Sequence, residues 1–457
     1  MINVASTSPV TTAQTTERTS FAAWWMLAVL FLFYFIAFID RYALTVMVEP
    51  IKADLKLTDF QMSLILGPAF SFTMAAFGVP LGYAADRYSR RWVIYLGMTA
   101  WSCATMASVC ANSFVTLLVV RIFIAIGEAS LVPAAYSLLA DGFEKRRLTT
   151  AMSIFATGQK AGTAAALTLA AVAMASASVL HGLHPRLAET SEWQGAFVLL
   201  GAPGVVLALL AFTFREPPRR GARKAKSASD GQLLSFLKNR RDVMLPLAIG
   251  ASLLAIVSAG LSAWAPSFVS RQFGLAPLQY GPVLSFISLL GVGTVIAKGG
   301  VMDWLFARGM KDAHIRFYSW LLMAGVPLFL VAFSLPEPWM FFVALGLLQA
   351  VIIPFIVYFM ATIQLVAPAH LRGQVTGLYF GMCALVGSGL GPLFIGALND
   401  FWFRDPAKLG WSLTIVTTTC AGVTLLVLRL LLRRLRSAIE EREAEEQSVD
   451  VPAPAGG

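Results

Sequence analysis

Five ionisable residues lie inside long apolar stretches of the chain: Asp40 and Arg41, Arg121 and Glu128, and Lys160. Acids and bases held away from water can exchange protons and clamp an anion, because a desolvated carboxylate titrates and a guanidinium binds phosphate or carboxylate through paired hydrogen bonds. Each would cost roughly 2.5–3.5 kcal/mol facing lipid at the centre of a membrane helix, so all five are expected to point inward, at one another. Arg121 and Glu128 stand almost two turns apart, on one helix face and about 10 Å apart in depth. Counted from the span ends, Asp40 and Arg121 both sit about 12 Å below one surface, and Lys160 nearly matches the depth of Glu128. The expected pairs are therefore Asp40 with Arg121, and Glu128 with Lys160. Arg41 lies about 100° round the helix from Asp40, which leaves it facing a cavity or snorkelling outward. The roles that follow are proton coupling for Asp40 and Glu128, and anion recognition for Arg41, Arg121 and Lys160.

What must position these side chains is a set of membrane helices. The 457 residues are 57% hydrophobic and 13% charged, against about 45–50% and about 25% in soluble domains. A bilayer core about 30 Å thick needs about 20 apolar residues in helix. Stretches of that kind recur at 21–48, 61–85, 92–111, 113–139, 150–175, 194–214, 244–270, 281–301, 316–334, 339–366, 373–399 and 411–432, twelve spans in an all-α polytopic membrane protein. The first runs straight through Asp40 and Arg41 without a small-residue cleavage site, so it is expected to be a mature helix and not a signal peptide. The loop from Arg215 to Asp242 alone holds nine Lys and Arg, against six in all loops after odd-numbered spans. Positive charge marks the cytoplasmic side, so both termini are expected there, in a bacterial inner membrane. The organisation read from this pattern is a tail (1–20), a six-helix half (21–214), a basic linker (215–243), a second half (244–432) and a second tail (433–457). The net charge of +10 is spread between apolar runs, which suits anionic lipid headgroups and excludes a nucleic-acid surface.

The halves look duplicated. Gly82-Tyr-Ala-Ala-Asp86-Arg87-Tyr-Ser-Arg90-Arg91 follows the second span, and Gly299-Gly-Val-Met-Asp303, with Arg308 beyond, follows the eighth at the same Gly-to-Asp spacing. Repeated halves are a transporter signature. Asp86 at a helix end can accept from Arg90 and from a neighbouring helix N-terminus, a contact that would latch the halves in one state and release them in the other. Stretch 82–91, with the twelve spans and the basic central loop, resembles the major facilitator superfamily. Within it, Phe38-Ile-Asp40-Arg41-Tyr42, Val48-Glu-Pro-Ile-Lys-Ala-Asp54, Arg121 to Gly127-Glu128-Ala129, and Arg215-Glu-Pro-Pro-Arg219 are similar to the spinster-like lipid transporters. That resemblance implies alternating access between two halves and a lysophospholipid or sphingoid-phosphate cargo. Organic-anion symporters share the Asp-Arg pair and the Glu-Ala, so a proton-coupled organic-anion symporter or a drug-type exporter is the alternative.

The second half lacks a comparable charged cluster. Its expected cavity lining is Ser258, Ser262 and Trp264 in span 7, with Gln349, Tyr358 and Thr362 in span 10, and Lys298 is expected at the membrane interface. A charged wall opposite an apolar one suits an amphipathic anion. Glycines 78, 82, 158, 162, 291, 387 and 391 are expected where helices approach closely, and the superfamily resemblance implies that these approaches lie between the two halves, where helices 2 and 5 meet helices 11 and 8. The four cysteines are expected to be reduced core residues. No phosphate-binding loop, metal-ligand spacing or nucleophile with a base stands out, so the expectation is a non-enzymatic monomer with no cofactor beyond protons; His181 and His184 are expected in a solvated loop. An Asp86→Ala protein should shift the balance between the two access states and lower transport; unchanged values of both, measured together in vesicles, would reject the gating role.

Overall fold

Inside hydrocarbon a backbone N–H finds no partner but its own helix, so apolar runs of this length fold as helices. The computed structural model describes residues 21–181, 190–219, 230–310, 312–353, 355–368 and 371–449; among them the regular structure is helical. Twelve long helices follow in order: α1 (Phe21–Val46), α2 (Asp59–Arg87), α3 (Arg90–Cys110), α4 (Phe114–Gly142), α5 (Lys145–Ala175), α6 (Glu192–Phe212), α7 (Arg241–Phe273), α8 (Pro277–Ala307), α9 (Ala313–Ser334), α10 (Pro338–Val366), α11 (Arg372–Phe403) and α12 (Leu409–Val449). Eleven are long and apolar enough to cross a bilayer. The other, α5, has 31 residues and the length to cross, but it is diluted by Gln159, Lys160 and several threonines and glycines. Two boundaries differ from expectation. A short helix, Asp230–Asn239, stands within the expected linker, and α12 runs past residue 432 to Val449. His184, stretch 220–229, the whole of the expected N-terminal tail and residues 450–457 of the C-terminal one lie outside the described residues.

With an even number of crossings, α1 begins and α12 ends on one face, here called proximal, the opposite face being distal. α1 lies along α5, α3 along α4, and α7 against α11 and α12. Glycines permit these approaches: a Cβ on Gly162 would come within 2.4 Å of the Phe35 carbonyl, and one on Gly391 within 2.7 Å of the Ile256 carbonyl. Gly158, Gly162, Gly387 and Gly391 therefore pack helices of the same six-helix set, contrary to the expected role between halves. Gly291 likewise faces α10, and a Cβ on Gly78 would meet open space. The glycines that join the two sets are Gly67 against Gly389, Gly281 against Leu167, and Gly396 against Asp59. Of the cysteines, Cys383 and Cys420 are buried, whereas Cys103 and Cys110 lie on the outside of the bundle; all four are free thiols.

The turn between α2 and α3 is organised by Arg90, only 1% exposed. Its guanidinium donates to Glu216 (2.9 Å), to the Ser137 hydroxyl (3.0 Å), to Asp141 and to the Pro217 carbonyl (2.8 Å). Ser89 adds a bond to Glu216 at 2.6 Å, and Arg219 donates back to the carbonyls of Ala85 and Tyr88. The expected Asp86–Arg90 contact is replaced: Arg90 turns into the protein, where two carboxylates outcompete one at the surface. Asp86 is exposed, Arg87 stacks over Tyr83, and Arg91 donates to the Phe214 carbonyl. Arg308 stacks over Trp304; the side chain of Asp303 lies outside the described residues.

Burial alone would raise the pKa of Glu216, but hydrogen bonds from Ser89 and Arg90 outweigh it and hold the carboxyl below its ordinary range. A depressed folded value stabilises the fold above the unfolded pKa, near 4.3, and that stability is lost as pH falls through the folded value. Glu216→Gln should thus lower stability by about 1–3 kcal/mol at neutral pH. In thermal unfolding scans its deficit should shrink below about pH 4; a constant deficit down to pH 3 would place the effect elsewhere.

Candidate functional site

The charges on α1 and α4 meet in the distal half of the bundle. Arg41 reaches across to Glu128, Nη2 to Oε2 at 2.6 Å, and Arg121 Nη2 donates to the Arg41 carbonyl at 2.9 Å. One arginine therefore ties the helices through its side chain and accepts the other through its backbone. Phe70 of α2 supports both guanidiniums, its ring centroid 4.2 Å from Arg41 Cζ and 5.0 Å from Arg121 Cζ. Phe38 lies 4.5 Å from Arg41 on another side. Such stacking offsets part of the cost of holding cations out of water.

Neither expected pair forms. Glu128 takes Arg41 in place of Lys160, because the long arginine side chain spans the depth between Arg41 and Glu128 along the helix pair. Arg121 donates to main chain in place of Asp40, whose short carboxylate stays on α1. Asp40 is 2% exposed, and neither of its oxygens has a hydrogen-bond partner. Arg121 and Glu128 remain close enough to act on it through space. Lys160 is exposed. The side chain of Arg41 is 23% exposed while that of Glu128 is closed off, so Arg41 and Lys160 are the cations a solute could touch; Arg121 is buried.

In the second six helices, Ser258, Ser262 and Gln349 are half-buried, with the Ser262 hydroxyl donating to the Ser258 carbonyl. The other three expected lining residues turn away. Trp264 is buried, its indole donating to the Pro392 carbonyl of α11 at 3.0 Å. Tyr358 packs on Phe317 and Tyr318 of α9, and Thr362 is buried, donating to the Tyr358 carbonyl. A large apolar side chain gains more from helix–helix packing than from a wet wall, which spacing along one helix does not reveal. Lys298 is not interfacial: its ammonium bonds the Thr294 hydroxyl and the carbonyls of Ala350 and Ile353, where α10 is interrupted.

Among the described residues, hydrogen bonds between the first and last six helices lie in the distal half. Asp59, fully buried at the start of α2, receives Arg271 of α7 in a two-point contact (2.6 and 2.8 Å), Asn399 of α11 (2.6 Å) and Lys52. Arg271 also holds Glu49 at 2.9 Å, and Asp400 accepts from the Phe60 N–H at 2.6 Å. Nearer the middle, Ser285 of α8 bonds Thr168 and the Ala164 carbonyl of α5. Toward the proximal face a Cβ on Gly78, Gly299, Gly377 or Gly381 would meet nothing within 4 Å. The two sets are shut distally and open proximally. This closure was missed in the sequence, although Arg271 is one of only six basic residues in loops after odd-numbered spans, which is the signal that could have exposed it.

Residues 30–392 match the model of the Major Facilitator Superfamily. An MFS-type efflux pump of Mycolicibacterium smegmatis is 29% identical over 83% of this chain and 85% of its own. Protein spinster homolog 3 of Danio rerio is 25% identical over 85% and 79%. The fold superposes on that of a bacterial homologue of the human lysosomal transporter Spinster, crystallised inward-facing and unoccupied, with a TM-score of 0.78 and 22% identity over 96% of this chain and all of that one. Opening the distal side must break the bonds Arg271 and Asn399 make to Asp59 while leaving Lys52 with it. Asp59→Asn should therefore favour the distally open form, read as about tenfold faster modification of a cysteine placed at Thr45 in a background without native cysteines. Equal rates with and without the substitution would show that closure does not rest on Asp59.

Proposed function

The chain belongs to the Major Facilitator Superfamily, a secondary transporter of spinster-like type, and from that premise we propose that it couples protons to the movement of an amphipathic anion such as a lysophospholipid or sphingoid phosphate. The observation that carries this reading is the asymmetry of the cleft. Arg41 and Lys160 are cations that solvent reaches in the first six helices, and the polar residues expected opposite them, Ser258, Ser262 and Gln349, are half-buried in the second six. An anionic headgroup fits the first wall and an acyl tail the second.

The coupling step follows from the Arg41–Glu128 bond. Ionised Glu128 holds Arg41; a proton on Glu128 removes the charge from that bond and frees the guanidinium to take the headgroup. Asp40 supplies a second proton-accepting carboxyl beside it. Arg121 anchors α1 to α4 and holds the two carboxylates at fixed positions. Asp86, Arg87, Arg91, Asp303 and Arg308 would close the proximal side in the opposite state. The basic loops place the proximal face in the cytoplasm of a bacterial cell in this reading, with a single chain as the working unit.

Proteoliposomes test it. Lysophospholipid flux should rise with an imposed pH gradient, and Glu128→Gln should cut the gradient-driven part about tenfold or more, the worth of a charge-assisted bond. A small dicarboxylate should not compete. A Glu128→Gln or Asp40→Asn protein with full gradient-driven flux would refute the coupling scheme. The half-exposed Ser258, Ser262 and Gln349 favour organic-anion symport as the second reading, which gradient-driven dicarboxylate uptake without lipid flux would establish; the efflux-pump relative favours export of a drug-like amphipath.

A further inference from the structure

Helix α3 carries no ionisable residue in the charged cluster, yet it contributes a group the cluster needs. Trp101 is fully buried, and its indole N–H has no hydrogen-bond partner. Buried indole donors are normally paired, and an unpaired one loses its full desolvation cost. The same is true, from the acceptor side, of both oxygens of Asp40. An orphan donor and an orphan acceptor share this corner of the bundle: Trp101 packs on Gly127, next to Glu128, whose partner Arg41 follows Asp40 in the chain, and the indole reaches toward the Asp40 carboxyl from α3 as Glu128 and Arg121 do from α4. Trp101 is held there by close packing of α3 on α4. A Cβ on Gly127 would come within 2.8 Å of Trp101 Cβ, and one on Gly97 within 1.9 Å of the Ser130 hydroxyl, so Trp101 branches from α3 beside the residue that precedes Glu128.

We propose that Trp101 is a positioning residue for the proton-accepting carboxyl: its indole N–H donates to Asp40 when that group is ionised, and the bond weakens when Asp40 takes a proton. The direction follows from acceptor strength, since a carboxylate binds an N–H more strongly than the neutral acid does. Trp101 thereby sets the pH at which Asp40 changes charge, without itself touching cargo, and reports that change through its own ring. The inference rests on the proton-coupled reading for its role in transport, though the donor–acceptor pair itself does not.

Two readouts test it on the full-length protein. The first is tryptophan fluorescence titrated with pH, with the Trp101 contribution taken as the difference between native protein and Trp101→Phe. A titrating Trp101 signal is expected, lost in Asp40→Asn and kept in Glu128→Gln. The second is the pH midpoint of gradient-driven flux, which should move upward by about half a unit or more in Trp101→Phe, the equivalent of one lost hydrogen bond. A signal that still titrates in Asp40→Asn overturns the pair, and so does an unmoved midpoint. If Trp101→Phe does not fold, the titration of native protein against Asp40→Asn decides alone, since loss of a tryptophan component in Asp40→Asn supports the pair and identical titrations overturn it. Flux indifferent to the pH gradient, together with an Asp40-dependent indole signal, supports the pair while ending the proton-coupled reading.

Discussion

A charge inside a bilayer has no water to fall back on, and the contact between Arg41 and Glu128 is this chain's answer to that constraint. Everything near the cleft is arranged around it. The backbone of Arg41 receives Arg121, the ring of Phe70 faces both guanidiniums, and Gly158 and Gly162 let α5 press against α1 so that the opposite side of α1 meets α4. Because the acid in this pair can be neutralised by one proton while the base cannot, the bond is where the proposed coupling is located.

The same logic works at larger scale at the distal face. Asp59 is a buried carboxylate supplied with donors by both six-helix sets, and breaking into that network leaves charge unpaired. Toward the proximal face the two sets meet through no such network among the described residues. A transporter needs one end strongly but reversibly closed while the other stands open; buried ion pairs at the distal end and small residues facing space at the proximal end satisfy that requirement. Arg90 and Glu216 serve a different need, fastening the segment after α6 to the turn between α2 and α3 within one set.

How much of this was legible from the chain differs from residue to residue. Helix number and the burial of Asp40, Arg121 and Glu128 follow from hydropathy and from the cost of charge in lipid, whereas Lys160, expected to pair inward with Glu128, is exposed. The partners did not follow. Depth counting set Asp40 level with Arg121, but the pair it implied does not form: it treats side chains as points, and a guanidinium reaches far enough to choose a partner well along the helix. Trp264, Tyr358 and Thr362 share helices with cavity-facing positions and still turn into the packing, since which face of a wholly apolar helix looks at the cleft is not written in its period.

By itself, then, the sequence determined that this chain spans a membrane many times, repeats its halves and buries a small set of acids and bases, because those facts rest on transfer energies that act locally, residue by residue. Only the tertiary structure decided that Glu128 answers to Arg41, that the Asp40 oxygens and the Trp101 indole N–H are buried without hydrogen-bond partners, and that Asp59 closes the distal end. Those depend on rotation about helix axes and on side-chain reach between helices far apart in the chain, where energies of a few kcal/mol are settled by geometry that composition and spacing do not contain.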